Sequence, residues 1–230
     1  MRGMVFTGGE GPSPGIARRL AAEADLVAAA DSGLAAAEAA GIRPRWIVGD
    51  MDSLNDLSRL SAYPADRVFC HPHEKDYTDT ELGLSLLWEK GCDEVWIAGG
   101  GGGRVDHLFA LRALFERERT PRRWITARDD IWAVDAPGVL TSGDLVPPGA
   151  EGKAAPVFAP GTIIAAAPLG NGPWKATSTG LKWPLDNVQW NRGFFGASNE
   201  ATEEAFSVRV EQGRFMIILP LGEVYDGENN

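Results

Sequence analysis

Trp46-Ile47-Val48-Gly49-Asp50-Met51-Asp52-Ser53 is the stretch on which the reading of this chain turns. An apolar run meets a glycine and then two carboxylates separated by one residue. Side chains of a strand alternate between its faces, so Asp50 and Asp52 would leave the strand end on one side. Two such carboxylates suit a hard cation. Magnesium prefers oxygen ligands, keeps several waters, and commonly sits between one or two protein carboxylates and the phosphates of a substrate. In isolation the pair more often caps a helix and faces water, so the surrounding chain has to decide.

Working outward, apolar runs alternate with helical patterns through the first half. Strands are expected at residues 4–7, 26–30, 46–48, 67–70 and 94–98, and helices at 16–24, 34–40, 54–60, 78–90 and from Val105 to about Glu118. Gly41 and Gly91 stand just past two of these helices, where a left-handed residue ends the winding. Strands and helices alternating at this spacing predict a parallel, Rossmann-like sheet covered on both faces. After about Ala136 the texture changes. Pro137, Gly138, Gly143, Pro147, Pro148, Gly149, Gly152, Pro156 and Pro160 interrupt the chain, and short apolar or alternating runs at 162–167, 174–179, 206–210 and 215–219 predict a small antiparallel β-sandwich. The border is expected between Pro137 and Pro156, dividing an α/β domain at 1–140 from a β domain at 141–230.

Composition narrows the function classes. The chain has 230 residues, 44% hydrophobic and 23% charged, enough for a real core. Its net charge of −10 argues against a nucleic-acid surface, which needs clustered Lys and Arg. Cys70 and Cys92 have no metal-ligand spacing and are too few for a disulfide framework; both read as buried thiols in a reducing, cytoplasmic setting. No export signal or membrane span is expected from the pattern.

Polar clusters gather at the strand ends of the first half: Asp31, Asp50 with Asp52, Asp76 with Asp79, and Arg104 with Asp106. Open parallel sheets place their ligands there. The five glycines at 99–103 are neither a Walker loop nor a G-x-G-x-x-G fingerprint. As a turn opening onto a helix they are expected to offer free N–H groups to an anion. His71 and His73 flank Pro72 in a polar loop and, with no third histidine nearby, read as solvated.

Six motifs in order carry a family resemblance: Ala30-Asp31-Ser32-Gly33, Gly49-Asp50-Met51-Asp52-Ser53, Lys75-Asp76-Tyr77-Thr78-Asp79-Thr80-Glu81, Gly102-Gly103-Arg104-Val105-Asp106-His107, Thr179-Gly180-Leu181-Lys182-Trp183-Pro184-Leu185 and Ser198-Asn199-Glu200. The chain resembles the thiamine pyrophosphokinase family. The resemblance implies an N-terminal α/β domain, a C-terminal β-sandwich, and a homodimer that moves a pyrophosphoryl group from ATP to thiamine and releases AMP. Two departures concern the nucleotide end: Ser32 stands where the family usually has glycine, and Leu111 where asparagine is common.

Roles follow from the resemblance and from the chemistry of these side chains. Asp50, Asp52 and Asp79 are expected to hold Mg2+, with Arg104 among the catalytic groups. Asp31, Ser32, Gly33, Lys75, Thr78, Gly103, Arg104 and Asp106 are the candidates for ATP. Trp183, Ser198 and Asn199 are the candidates for thiamine, whose thiazolium an indole face attracts for about 0.5–2 kcal/mol. The site is expected to be shared between the two subunits of a dimer. Rival readings are a pyrophosphokinase acting on another alcohol such as a hydroxymethylpterin, a magnesium-dependent phosphohydrolase using an aspartyl nucleophile, and a non-catalytic nucleotide-binding module.

Overall fold

The computed structural model describes residues 1–54, 57–145 and 158–221. The chain forms two compact units, Met1–Leu108 with Trp124–Ala127, and Phe109–Arg123 with Arg128–Asn230. In the first unit, β1 (Arg2–Phe6), β2 (Leu26–Ala30), β3 (Trp46–Gly49), β4 (Val68–Cys70) and β5 (Glu94–Ala98) pair in parallel in the order β5-β1-β2-β3-β4. The connecting helices are α1 (Pro14–Ala22), α2 (Gly33–Ala39) and α3 (Asp79–Glu89), and α4 (Val105–Leu114) follows β5. β1 and β5 bury every residue but the first and β3 buries all of its own, as strands covered on both faces do.

Helix α3 shows why the sheet is closed tightly. Thr78 caps it with a reciprocal capping box: its hydroxyl accepts from Glu81 N–H at 3.3 Å while its own N–H donates to the Glu81 carboxylate at 2.8 Å. The helix lies on β1, β2 and β3 and buries Leu84 and Leu87, each worth about 1.5–3 kcal/mol relative to exposure. A Cβ at Gly83 would stand only 2.9 Å from Val5, so a side chain there would lift the helix from the sheet. Because all five strands run one way, the residues just past their C-terminal ends, Thr7, Asp31, Asp50, His71 and Gly99, share one edge of the sheet.

β6 (Arg123–Ile125) straddles the division between the units. In the second unit, β7 (Asp129–Asp135), β8 (Gly138–Thr141), β9 (Ile163–Leu169), β10 (Lys175–Thr179), β11 (Gly196–Glu200), β12 (Ser207–Gln212) and β13 (Arg214–Pro220) form two antiparallel arrays, β11-β9-β13-β7 and β10-β12-β8. On β12, Val208 and Val210 are buried while Arg209 and Glu211 face out, the alternation expected of a sheet with one wet face. Phe158 meets Phe206 edge to face at 5.1 Å. Inside this unit, Arg123 donates to both oxygens of Asp130, at 2.7 and 2.6 Å, with both side chains buried.

The expected parallel α/β half and antiparallel β half are therefore both present, with local differences. Residues 54–60, read as a helix, instead carry a 3-10 turn at Leu57–Ala62, with 55 and 56 outside the described residues. α4 stops at Leu114 rather than near Glu118. The compact units divide at Leu108 and Phe109, earlier than the expected border between Pro137 and Pro156, because β7 and β8 pair with β13 and β12. Of the two thiols expected to be buried, Cys92 is and Cys70 is exposed, since it ends the edge strand β4. No helix among the described residues is long and apolar enough to cross a membrane.

Candidate active site

The acidic cluster forms where β2, β3 and α3 meet. Gly49, with φ 146°, ends β3 and turns the chain so that Asp50 follows; a Cβ there would stand 3.0 Å from Asp79 Oδ1 and 3.2 Å from Asp31 Cβ. Only glycine allows the three carboxylates to converge. Carboxylate oxygens of Asp31, Asp50 and Asp79 all lie within 4.8 Å of one another. Asp31 adopts φ 45° and is buried, and its Oδ1 has no hydrogen-bond partner among the described residues.

Lys75 is the counter-charge. Its Nζ lies 2.7 Å from Asp50 Oδ2 and 3.1 Å from Asp79 Oδ1. Burial alone would lower the Lys75 pKa, but the bonds to Asp50 and Asp79 outweigh it and hold the ammonium above its ordinary value. The same bond from Lys75, with a further one from His73, keeps the Asp50 carboxyl well below the usual carboxylate range in spite of its burial. Asp31 goes the other way: burial pushes its carboxyl up, and the negative charges of Asp79 and Asp52 add to that, against contacts from Ser53 and the Ser32 amide.

Asp52 stands apart from Asp79. Half exposed, it groups with Asp50 and His73, whose Nδ1 lies 3.0 Å from Asp50 Oδ2 and 3.3 Å from Asp52 Oδ2. The three metal candidates thus fall into two overlapping sets that share Asp50. His73, read from sequence as solvated, is exposed yet turned onto these carboxylates. Asp31, read as a nucleotide contact, sits inside the acidic cluster. The signal for Asp31 was its place at the end of β2; for His73 the sequence held none, because the loop brings it back from beyond β4.

Other nucleotide candidates are committed to the fold. Thr78 is spent on its cap, and a Cβ at Gly33 would stand 2.2 Å from the Phe6 carbonyl oxygen, so Gly33 serves the close approach of α2 to β1. Ser32 lies over Gly8, its Oγ 2.3 Å from where a Cβ would be. The glycine run also departs from expectation. Gly99, Gly100 and Gly101 donate their N–H groups to Ile125, Gly8 and Glu10 at 2.9, 2.8 and 2.9 Å, because the run packs against Ile125 and the loop after β1, so these three N–H groups are not free for an anion. Gly102 and Gly103 lie outside these ties. Beyond them Arg104 donates to both oxygens of Asp106, at 3.1 and 2.6 Å, with both side chains exposed, and that pairing lowers the Asp106 pKa to about 2.

In the second unit, Asn199 organises the acceptor candidates. Buried in β11, it accepts from Trp183 N–H at 3.1 Å and donates to the Trp183 carbonyl at 2.7 Å. The Trp183 side chain is 51% exposed, and Lys182 Nζ sits 4.6 Å from its ring centroid. Ser198, at φ 63°, occupies the irregularity where β11 shifts register on β9. Asn199 thus holds the backbone of Trp183, and Ser198 precedes it on β11.

The comparisons with known proteins agree with this division of labour. The thiamin pyrophosphokinase catalytic domain matches residues 17–123, and the thiamin pyrophosphokinase vitamin B1 binding domain matches residues 156–215. Among solved structures, thiamine pyrophosphokinase from Bacillus subtilis is 24% identical with a TM-score of 0.70, covering 96% of this chain and 99% of that one. The enzyme from Geobacillus thermodenitrificans is 25% identical with a TM-score of 0.65, covering 96% and 97%. That from Candida albicans is 17% identical with a TM-score of 0.66, covering 95% and 88%. No curated protein sequence matches the chain. With a catalytic-domain match over the acidic strand ends and a B1-binding match over Trp183 and Asn199, the chain belongs to the thiamin pyrophosphokinase family.

Proposed function

We propose that the strand-end cluster of the first unit binds ATP with magnesium, and that Trp183, Ser198 and Asn199 of the second unit receive thiamine. As a thiamine diphosphokinase, the chain moves the pyrophosphoryl group of ATP to the hydroxyl of thiamine. The hydroxyl oxygen bonds to the β-phosphorus, the bond to the bridging oxygen breaks, and AMP leaves. Such transfers rest on positioning and charge neutralisation more than on activation of the nucleophile.

The observation that carries this reading is the convergence of Asp31, Asp50 and Asp79 on one point, with Asp52 beside it. An all-oxygen donor set with a buried, unpartnered Asp31 Oδ1 fits a hard divalent cation. When bound, magnesium neutralises phosphate oxygens as charge moves to the leaving group. Lys75 supplies a positive charge from within the cluster. Arg104 supplies another, oriented by the two-pronged grip of Asp106. Ser32 and Gly103 border the nucleotide, while Gly33 and Thr78 shape the loops that hold it. Asn199 fixes the backbone of Trp183, leaving the indole to stack on thiamine.

In this reading the enzyme is a cytoplasmic homodimer in which each site takes its acidic cluster from one chain and its Trp183 from the other. Closed two-fold symmetry then gives two equivalent sites. The test is complementation, read as thiamine-dependent formation of AMP and thiamine diphosphate. Asp79→Asn and a Ser198→Ala, Asn199→Ala double variant are each expected to be nearly inactive, and co-refolding them is expected to restore activity, because a mixed dimer gathers both lesions in one site. A mixture that stays inactive once subunit exchange is verified rejects sharing. ADP with thiamine monophosphate as products would move the attack to the γ-phosphorus.

A further inference from the structure

We propose that Asp31 is a direct ligand of the catalytic cation, that Asp31, Asp50 and Asp79 form its buried seat, and that the Lys75 ammonium holds that seat until the cation arrives. The inference rests on the reading of the strand ends as the magnesium and ATP site. It changes which residues do the holding.

Three features point to the seat. First, the carboxylates of Asp31, Asp50 and Asp79 each offer an oxygen within 4.8 Å of the others, a span that one ion can bridge. Second, Asp31 is only 8% exposed, and its Oδ1 has no hydrogen-bond partner among the described residues. An ionised oxygen so placed is costly unless a cation sits on it. Third, the chain holds the arrangement open. Gly49 has no Cβ where Asp79 and Asp31 approach, at 3.0 and 3.2 Å, and Asp31 accepts a left-handed backbone, φ 45°, at the end of β2.

Lys75 shows where a cation is wanted. Its Nζ bridges Asp50 and Asp79 at 2.7 and 3.1 Å. The ammonium donates to Asp50 and pairs by charge with Asp79, but Asp31 Oδ1 and Asp79 Oδ1 both lack a hydrogen-bond partner among the described residues, whereas a divalent ion takes more oxygens at once. On loading, the ion displaces Lys75, whose flexible stem frees the charge for the phosphates entering beside it. Asp52 belongs to the rim: its side chain is 51% exposed and it groups with Asp50 and His73.

The experiment titrates Mn2+ into the substrate-free protein and follows the free ion by electron paramagnetic resonance, so no turnover is needed. Asp31→Asn keeps the size of the side chain, and asparagine tolerates a left-handed backbone. It is expected to weaken Mn2+ binding by about 10-fold or more. Lys75→Met removes the tethered competitor and is expected to tighten Mn2+ binding in the same protein, the opposite sign from any phosphate-binding defect. If Asp31→Asn binds Mn2+ like the parent and instead loses affinity for AMP measured without metal, Asp31 is a nucleotide contact and the proposal falls. Unchanged or weaker Mn2+ binding by Lys75→Met overturns the displacement of lysine. If the parent binds Mn2+ as expected but makes no AMP from ATP and thiamine, the seat stands and the assignment of the reaction fails.

Discussion

The two ends of the proposed reaction are built in opposite ways. In the first unit, charge is buried and crowded: Asp31, Asp50 and Asp79 converge where Gly49 leaves room, and Lys75 offsets them from inside. In the second unit, the proposed acceptor surface is an exposed indole, and the buried polar group, Asn199, holds the backbone that carries it. Phosphate chemistry needs fixed charges that do not reorganise during the reaction. Recognition of a flat cationic ring needs a face and a position. The first end should therefore fail in rate when altered, and the second in affinity.

The largest expected effect tests that contrast at its charged end. Asp79→Asn keeps the shape of the side chain but removes a charge from the seat, and loss of one preorganised electrostatic contact costs about 100- to 1000-fold in kcat. Asp52→Asn is expected to lose less, because Asp52 is half exposed and stands with His73 at the rim. Steady-state kinetics at saturating magnesium decide it. Equal losses would merge the two sets into one site, and unchanged kcat in Asp79→Asn would remove Asp79 from the chemistry.

The same contrast explains what the sequence could and could not reveal. Alternating apolar runs and capping signals placed β2, β3, β5 and α3 within a residue or two of where they lie, and the strand-end carboxylates followed from them. β11 stayed hidden because Gly196-Ala197-Ser198-Asn199-Glu200 has the composition of a turn; it is a strand because it pairs with Ile163, Ile164 and Ala166 of β9, a long-range contact with no local signature. β7 was not read as a strand at all for the same reason, since its partner β13 lies at the far end of the chain. The glycine run looked like an anion cradle because sequence shows which N–H groups exist and not which are already taken.

At the acceptor end the effect is smaller and of a different kind. Trp183→Ala is expected to raise the thiamine KM by about 2- to 30-fold, the equivalent of about 0.5–2 kcal/mol of cation–π contact. The KM for ATP and the kcat should hardly move, because a contact made equally in ground and transition states changes affinity alone. Since Lys182 Nζ already lies over the indole at 4.6 Å, Lys182→Met should lower the thiamine KM by relieving repulsion of the thiazolium. A fall in ATP affinity with either variant would place the indole at the nucleotide instead.

The smallest expected effect concerns stability rather than turnover, and it separates Asp31 from Asp50. The Asp31 pKa is raised by burial, so the folded state holds its proton more tightly than the unfolded chain does. A raised acid contributes stability at low pH that is lost as pH climbs through the folded pKa, and at neutral pH the ionised Asp31 is therefore a liability in the metal-free protein. Asp31→Asn removes that charge and should raise the metal-free Tm at pH 7 by about 2 °C or more, with the gain shrinking as pH falls and Asp31 of the parent becomes protonated. Asp50 has the opposite sign: Lys75 lowers its pKa, so its contribution is present above the ordinary carboxylate value and fades only as pH drops below it. Asp50→Asn should accordingly lower Tm at pH 7. Added Mg2+ should reverse the ranking for Asp31, stabilising the parent more than Asp31→Asn by binding the folded state preferentially. Thermal melts at pH 7 and pH 4, with and without Mg2+, measure all of these shifts. An Asp31→Asn protein that melts below the parent at pH 7 without metal would mean that Asp31 is already satisfied in the fold and has no need of a cation.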